Sequence, residues 1–156
     1  MPVSSRSGMA MAAEVRSVRE EDIAQIAAIE RECFTLPWTE QQLRTQLGGG
    51  HVFLCAAEDG DVAGYVGMQY VIDEGYISNV AVRECRRRMG CGSALISGLI
   101  ERAKALGLAF VSLEVRASNA PAIELYEKFG FAVEGRRKNY YERPREDALI
   151  MTLRLK

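Results

Sequence analysis

Between Asn79 and Leu95 the sequence reads NVAVRECRRRMGCGSAL, and residue types in that order can bind an anion. The apolar run Val80-Ala81-Val82 has strand character, and the charged turn Arg83-Glu84-Cys85-Arg86-Arg87-Arg88 follows it. Gly90 and Gly92, one residue apart, then precede a helix-like run from Ser93 onward. Glycine tolerates positive φ and lets backbone come close to a ligand. The first N–H groups of a helix lack internal partners, and the helix dipole puts partial positive charge beside them. Arg86, Arg87 and Arg88 add formal charge at the same place. The pattern suits a pyrophosphate or a similar anion. It is not the dinucleotide fingerprint, because no third glycine follows Gly92 at the right offset, and it lacks the Gly-Lys-Ser/Thr of a P-loop. A surface turn with solvated arginines has the same spacing.

Other residues could carry chemistry beside such a site. Glu114 lies inside the β-rich run Leu113-Glu114-Val115, where a carboxylate is poorly placed unless it faces solvent or a cleft. Tyr126 shares helical spacing with Ala122 and Ile123, which fits a core tyrosine as well as a phenol with a task. Tyr140 and Tyr141 follow Arg136-Arg137-Lys138-Asn139 in a stretch read as a polar turn, where two adjacent aromatics are unusual. Phe34, Leu36, Pro37 and Trp38 interrupt two helical stretches; they either fold back into the core or wall a groove. His51 reads as an exposed or satisfied histidine rather than a base.

The elements that must position these groups follow from periodicity and punctuation. Glu14 to Val18 reads as a strand, with Asp22 or a neighbour capping a helix that carries Ile23, Ile26, Ala27 and Ile29 to about Cys33. Thr39 caps a second helix to about Leu47, ended by Gly48-Gly49-Gly50. His51–Glu58 and Val62–Val71 are strands joined at Asp59-Gly60-Asp61. A turn at Asp73-Glu74-Gly75 leads to a strand from Tyr76 to Val82. A helix from Ser93 to Leu106 is stopped by Gly107, a strand spans Ala109–Val115, and a helix spans Asn119–Lys128 with Pro121 near its start. Strands at Phe131–Arg137 and Ala148–Leu155, with a long connection between them, complete a mixed α/β class.

The 156 residues fit one domain over residues 14–156, preceded by a leader, residues 1–13, expected to be disordered. At 48% hydrophobic and 26% charged the chain has an ordinary globular composition, and a net charge of −1 gives no global pull toward nucleic acid or membrane. With one histidine and four cysteines lacking a C-x-x-C pair, no metal set is expected. Cys33 and Cys55 read as small core residues, and Cys91, inside the glycine loop, as a tolerated small side chain rather than a reactive thiol. That usage suits a reducing cytoplasm.

The loop Arg87-Arg88-Met89-Gly90-Cys91-Gly92 resembles the Arg/Gln-x-x-Gly-x-Gly/Ala loop of the GNAT superfamily of N-acetyltransferases. Leu113-Glu114-Val115-Arg116-Ala117-Ser118-Asn119, Ala122–Phe131 and Asn139-Tyr140-Tyr141 are similar to segments of its RimI-type, ribosomal-protein-alanine branch, and the resemblance runs from about Glu14 to Leu155. It implies the GNAT fold: a mostly antiparallel central sheet with a splayed strand pair that binds acetyl-CoA, flanked by about four helices. It also implies pantetheine held along Val80, Ala81 and Val82, and pyrophosphate held by Arg87, Arg88, Met89, Gly90, Cys91, Gly92 and Ser93, with Asn119 touching the coenzyme. Glu114 would act as general base and Tyr126 as general acid. Phe34, Leu36, Pro37 and Trp38 would form one wall of a peptide groove, and Tyr140 and Tyr141 the other. The implied acceptor is a protein N-terminus, that of small-subunit ribosomal protein eighteen. A small amine, a lysine side chain or a non-catalytic acyl-CoA module are the rival readings. The sequence departs from the family pattern at Cys91, often a larger apolar residue, and at Gly75, which would loosen the turn before the central strand.

Overall fold

Seven strands form one sheet in the order β1-β2-β3-β4-β5-β7-β6 in this computed structural model, which describes residues 13–87 and 90–156. They are β1 (Glu14–Ser17), β2 (His51–Glu58), β3 (Asp61–Val71), β4 (Glu74–Val82), β5 (Phe110–Arg116), β6 (Ala132–Tyr141) and β7 (Glu146–Arg154). The helices are α1 (Ile23–Cys33), α2 (Glu40–Thr45), α3 (Cys91–Ala105) and α4 (Ala120–Lys128). All neighbouring strands are antiparallel except β4 and β5. The leader reading of residues 1–13 lies outside the described residues except for Ala13, which packs against the main core.

Strand alternation divides the core in two. Val52, Leu54 and Ala56 of β2 and Val111, Leu113 and Val115 of β5 join Leu95, Ile96, Leu99 and Ala103 of α3 and Tyr126 of α4. The intervening β2 residues Phe53, Cys55 and Ala57 face Ile23, Ile26, Ala27 and Ile29 of α1 and Leu43 of α2. This second cluster contains no residue of β5, β6 or β7. Among the described residues α1 and α2 therefore pack over the β2–β4 part of this face, and the cluster does not extend over β5, β6 and β7.

Local chemistry sets the element ends. Asp59 and Gly60, at φ 52° and 83°, form the two-residue turn between β2 and β3 that right-handed strand twist favours. Thr39 and Gln42 form a reciprocal capping box at α2, which stops at Thr45, short of the expected Leu47. Gly107, at φ 74°, stops α3. Asp22 precedes α1 without capping it; its carboxylate is taken by Arg16 and the Arg19 N–H.

Three expectations are corrected. The helix α3 begins at Cys91, two residues before Ser93, because Gly90 at φ 83° turns the chain straight into it. The last two strands are a hairpin with a short turn, and Tyr140 and Tyr141 belong to β6 rather than to a polar turn. Gly75 is a buried residue of β4, not part of a turn; the turn is Ile72-Asp73. The reason for a glycine there is space: a Cβ would stand 2.8 Å from Met68 Sδ and 2.9 Å from Leu108 Cδ1. Both neighbours are fully buried. Gly75→Ala is therefore expected to destabilise the fold by about 1–3 kcal/mol through overpacking. A chemical-denaturation midpoint equal to that of the wild type would show that the core gives way freely.

Candidate active site

The site begins with a parting of strands. β4 and β5 pair only at Glu74–Phe110, Gly75–Val111 and Tyr76–Ser112. Beyond Tyr76 the β4 edge that faces β5 has no strand partner among the described residues. A bulge accompanies the divergence: Gly67 opposes Asn79 and Met68 opposes Ile77, which leaves Ser78 as the extra residue. A bulge bends its strand and increases local twist. The β4 edge along Val80, Ala81 and Val82 therefore lines one side of a V-shaped gap, with Ala81 packed on the α1 side and Val80 and Val82 on the α3 side.

The far end of β4 leads to the glycine loop. Gly90 takes the left-handed conformation and precedes Cys91, and the first backward helical bond of α3 is Ala94 N–H to Gly90 O at 3.0 Å. The N–H groups of Cys91, Gly92 and Ser93 thus stand at a helix start without intrahelical partners. Gly92 lies close to α4, where a Cβ would meet Leu125 at 3.4 Å. The left-handed glycine, the free N–H groups and the unpaired strand edge fit a pyrophosphate joined to an extended amide chain. Arg88 and Met89 lie outside the described residues. Arg87 reaches back toward β4, its Nε donating to Val82 O at 3.1 Å and its Nη2 lying 3.3 Å from Cys33 Sγ. Arg86 pairs with Glu58 at 3.0 Å, which offsets its charge. Cys91 is buried in the main core, where burial pushes its thiol pKa up, as an inert small residue requires. Cys33, expected in the core, is only half-buried, at the end of α1 beside Arg87.

Glu114 lines a cleft of about 150 Å³ together with Tyr76, Ser112, Arg137 and Ile150. Arg137 Nε donates to its Oε2 at 2.7 Å and the Tyr140 hydroxyl lies 3.4 Å from Oε1. Tyr140 reaches Glu114 because β6 carries two extra residues between Arg137, opposite Ala148, and Tyr141, opposite Glu146. Asn139 takes φ 54° there, a conformation asparagine tolerates. Asp147 holds it by accepting from the Asn139 N–H at 2.9 Å and from Arg136 at 2.8 Å. Tyr140 is 48% exposed and contacts Tyr141 edge to face, with centroids 5.0 Å apart. Tyr141 lies under the Arg116 guanidinium at 4.4 Å. Arg116 also donates to the carbonyls of Glu142 and Pro144 and to Glu146, so one side chain fixes the β6–β7 turn.

Tyr126 approaches from the other face. Burial pushes its hydroxyl pKa up to about 12, with Tyr141 nearby adding a smaller push. Asn119 caps α4 by accepting from the Ala122 N–H at 3.3 Å, which leaves its amide N–H groups for another partner. At the α1–α2 loop, Phe34 and Leu36 are exposed, Leu36 at 70%, and Pro37 is partly covered. Trp38 packs half-buried against the second core cluster, and its backbone N–H donates to Glu30 Oε1 at 2.8 Å.

Arg137, Arg116, Tyr76, Glu30 and Asn79 were not singled out from the sequence. For Glu30 the signal was present: with Ile23, Ile26 and Ala27 it completes an apolar helical stripe, and a carboxylate on such a stripe demands a partner. Arg137 carries no comparable signal, because its pairing with Glu114 depends on strand order.

Residues 23–131 match the acetyltransferase (GNAT) family. A [ribosomal protein bS18]-alanine N-acetyltransferase of Escherichia coli (strain K12) is 37% identical over 141 residues, 89% of this chain and 95% of that one. A Bacillus subtilis (strain 168) protein provisionally assigned the same activity is 41% identical over 89% of this chain and 93% of its own. The crystal structure of the ribosomal-protein-S18-alanine N-acetyltransferase from Escherichia coli superposes with a TM-score of 0.86 at 36% identity, covering 92% of this chain and 94% of that one. Ard1 from Thermoplasma volcanium superposes at 0.83 with 28% identity, covering 93% and 99%. The parted strands, the left-handed glycine before α3 and these matches together make this chain a member of the GNAT family of acetyltransferases.

Proposed function

We propose that the protein transfers an acetyl group from acetyl-CoA to the N-terminal α-amino group of a protein, with the N-terminal alanine of ribosomal protein bS18 as its acceptor. The observation that carries the reading is the placement of Glu114 in a cleft beside the point where β4 and β5 part, with the exposed Tyr140 of a tyrosine pair against it. An extended chain end fits such a cleft, and the names of the relatives support the choice of acceptor. A reducing, cytoplasmic setting suits the four free cysteines. No helix among the described residues is long and apolar enough to cross a membrane.

The coenzyme, when bound, supplies the acetyl group as an activated thioester. Val80, Ala81 and Val82 would hold its pantetheine arm as an added strand, and the loop from Arg87 through Arg88, Met89, Gly90, Cys91 and Gly92 to Ser93 its pyrophosphate. Asn119 would meet it with its free amide. Phe34, Leu36, Pro37 and Trp38 would wall the acceptor on one side, and Tyr140 and Tyr141 on the other. A free α-amino group has a pKa of about 8, so most acceptors arrive protonated at neutral pH. The Glu114 carboxylate accepts that proton, directly or through a water. The Tyr126 hydroxyl donates a proton to the departing sulfur. With its pKa pushed up to about 12 it keeps its proton through the neutral and mildly alkaline range. Tyr126→Phe is expected to lower kcat about tenfold to 100-fold, toward the low end for a general acid because a thiolate leaves readily. An unchanged kcat would remove Tyr126 from the proton path.

The function is tested by free-thiol release from acetyl-CoA against four acceptors: a peptide beginning Ala-Arg, the same peptide with a blocked N-terminus, an internal-lysine peptide and spermidine. Turnover confined to the free N-terminus is expected. Turnover confined to spermidine or to lysine would sink the N-terminal reading while leaving the fold and coenzyme in place.

A further inference from the structure

Glu30 has no solvent exposure and no cationic partner among the described residues. Its Oε1 accepts from the backbone N–H of Trp38 at 2.8 Å. Its Oε2 accepts from Nδ2 of Asn79 at 2.7 Å and from the Tyr65 hydroxyl. Burial pushes the carboxyl pKa up, as expected of a charge taken from water without a counter-ion. An apolar residue would serve stability as well or better on a stripe shared with Ile23, Ile26 and Ala27. The donors explain the choice. Trp38 lies at the end of the proposed acceptor wall. Asn79 sits in β4 immediately after the bulged Ser78, where the strand leaves β5. Tyr65 lies on β3 opposite Ala81 and holds the carboxylate from beneath. One side chain thus spans the loop that would grip the acceptor and the strand edge that would hold the acyl donor.

We propose that Glu30 is a positioning residue for acyl transfer: its buried carboxylate ties the Phe34–Trp38 wall to the Asn79 segment of β4 and so sets the distance between acceptor and acyl group. This rests on the acetyltransferase reading above. Three donors need a side chain that only accepts, and an ionised carboxylate meets that need with both oxygens. Leucine keeps roughly the volume and accepts from none of the three donors, so both the loop tether and the β4 tether break.

The test uses Trp38, the only tryptophan in the chain, as a reporter of the loop. In Glu30→Leu its emission is expected to shift to the red and its quenching by acrylamide to rise. The KM for an Ala-Arg peptide should increase about tenfold as uniform binding is lost. The same misplacement should lower kcat roughly tenfold to 100-fold. Asn79→Ala should lower kcat while leaving Trp38 emission unchanged, because the loop tether survives. Leu99→Ala, in the core on the opposite face, lowers stability and should move neither emission nor KM. Emission and KM within about twofold of wild type in Glu30→Leu would overturn the proposal, as would an equal emission shift in Leu99→Ala. Should Glu30→Leu fail to fold, a wild-type kcat in Asn79→Ala overturns it alone. If the wild-type protein acetylates no amine, the acetyltransferase reading falls, and the emission of Glu30→Leu still decides whether the tether exists.

Discussion

Glu114→Gln is expected to lower kcat by roughly 100- to 10,000-fold, the range a positioned general base contributes. Coenzyme affinity should stay within about twofold, because the substitution keeps the shape of the side chain and leaves the backbone of the β4 edge and the glycine loop untouched. The substitution is nearly isosteric. The amide oxygen can still accept from Arg137 Nε, now 2.7 Å from the carboxylate, so the cleft should keep its shape. What is lost is the capacity to take a proton. The loss has a pH signature with a definite sign. An acceptor amine with a pKa of about 8 becomes neutral without help as pH rises past that value. The deficit of the variant should therefore be largest near neutral pH and shrink on the alkaline side. Profiles of kcat/KM against pH for both proteins, with coenzyme binding followed by calorimetry, make the check. A deficit that does not vary with pH, joined to weakened coenzyme binding, would make Glu114 a structural residue.

The site was legible in the sequence where its chemistry is local. Gly90 is local: a left-handed residue before a helix calls for glycine, and the structure puts φ at 83° there. The alternation in Leu113-Glu114-Val115 is local too, and it sends Glu114 away from the core that takes Leu113 and Val115. Arg137 was not legible, because it meets Glu114 across β7, and the order β5-β7-β6 is a property of the whole sheet. Tyr140 was misread as part of a turn for a related reason. The extra residues that aim it at Glu114 are stabilised by Asp147 on the partner strand, and no signal near Tyr140 announces them. Gly75 misled in the opposite direction. A glycine beside Asp and Glu suggests a turn, but this one answers to Met68 and Leu108, which lie far from the turn in function and, for Leu108, in sequence.

Asp22→Ala is expected to destabilise the protein by about 3–5 kcal/mol, the usual consequence of leaving one member of a buried ion pair alone. Arg16 grips Asp22 through both terminal nitrogens, at 2.8 and 3.0 Å, and the Arg19 N–H adds a third bond at 2.8 Å. The Asp22 side chain is 3% exposed and that of Arg16 15%, so solvent screens the pair little. Arg16 and its neighbours hold the Asp22 carboxyl below its ordinary pKa. A depressed folded pKa means that the pair stabilises fully above the unfolded carboxylate range, about 3.9, and is lost as pH falls through the folded value. The gap in stability between wild type and variant should therefore be level from mildly acidic to neutral pH and narrow only in strong acid. Glu30 has the opposite sign: its pKa is raised, so what it contributes is complete below the unfolded range and lost as pH rises through the folded value. The two carboxylates stand near opposite ends of α1, one fastening its start to β1 and the other joining its C-terminal part to the loop and β4. Denaturation curves of both variants over a pH series separate them. A gap for Asp22→Ala that widens in acid would show that the Arg16 pair does not hold α1 in place.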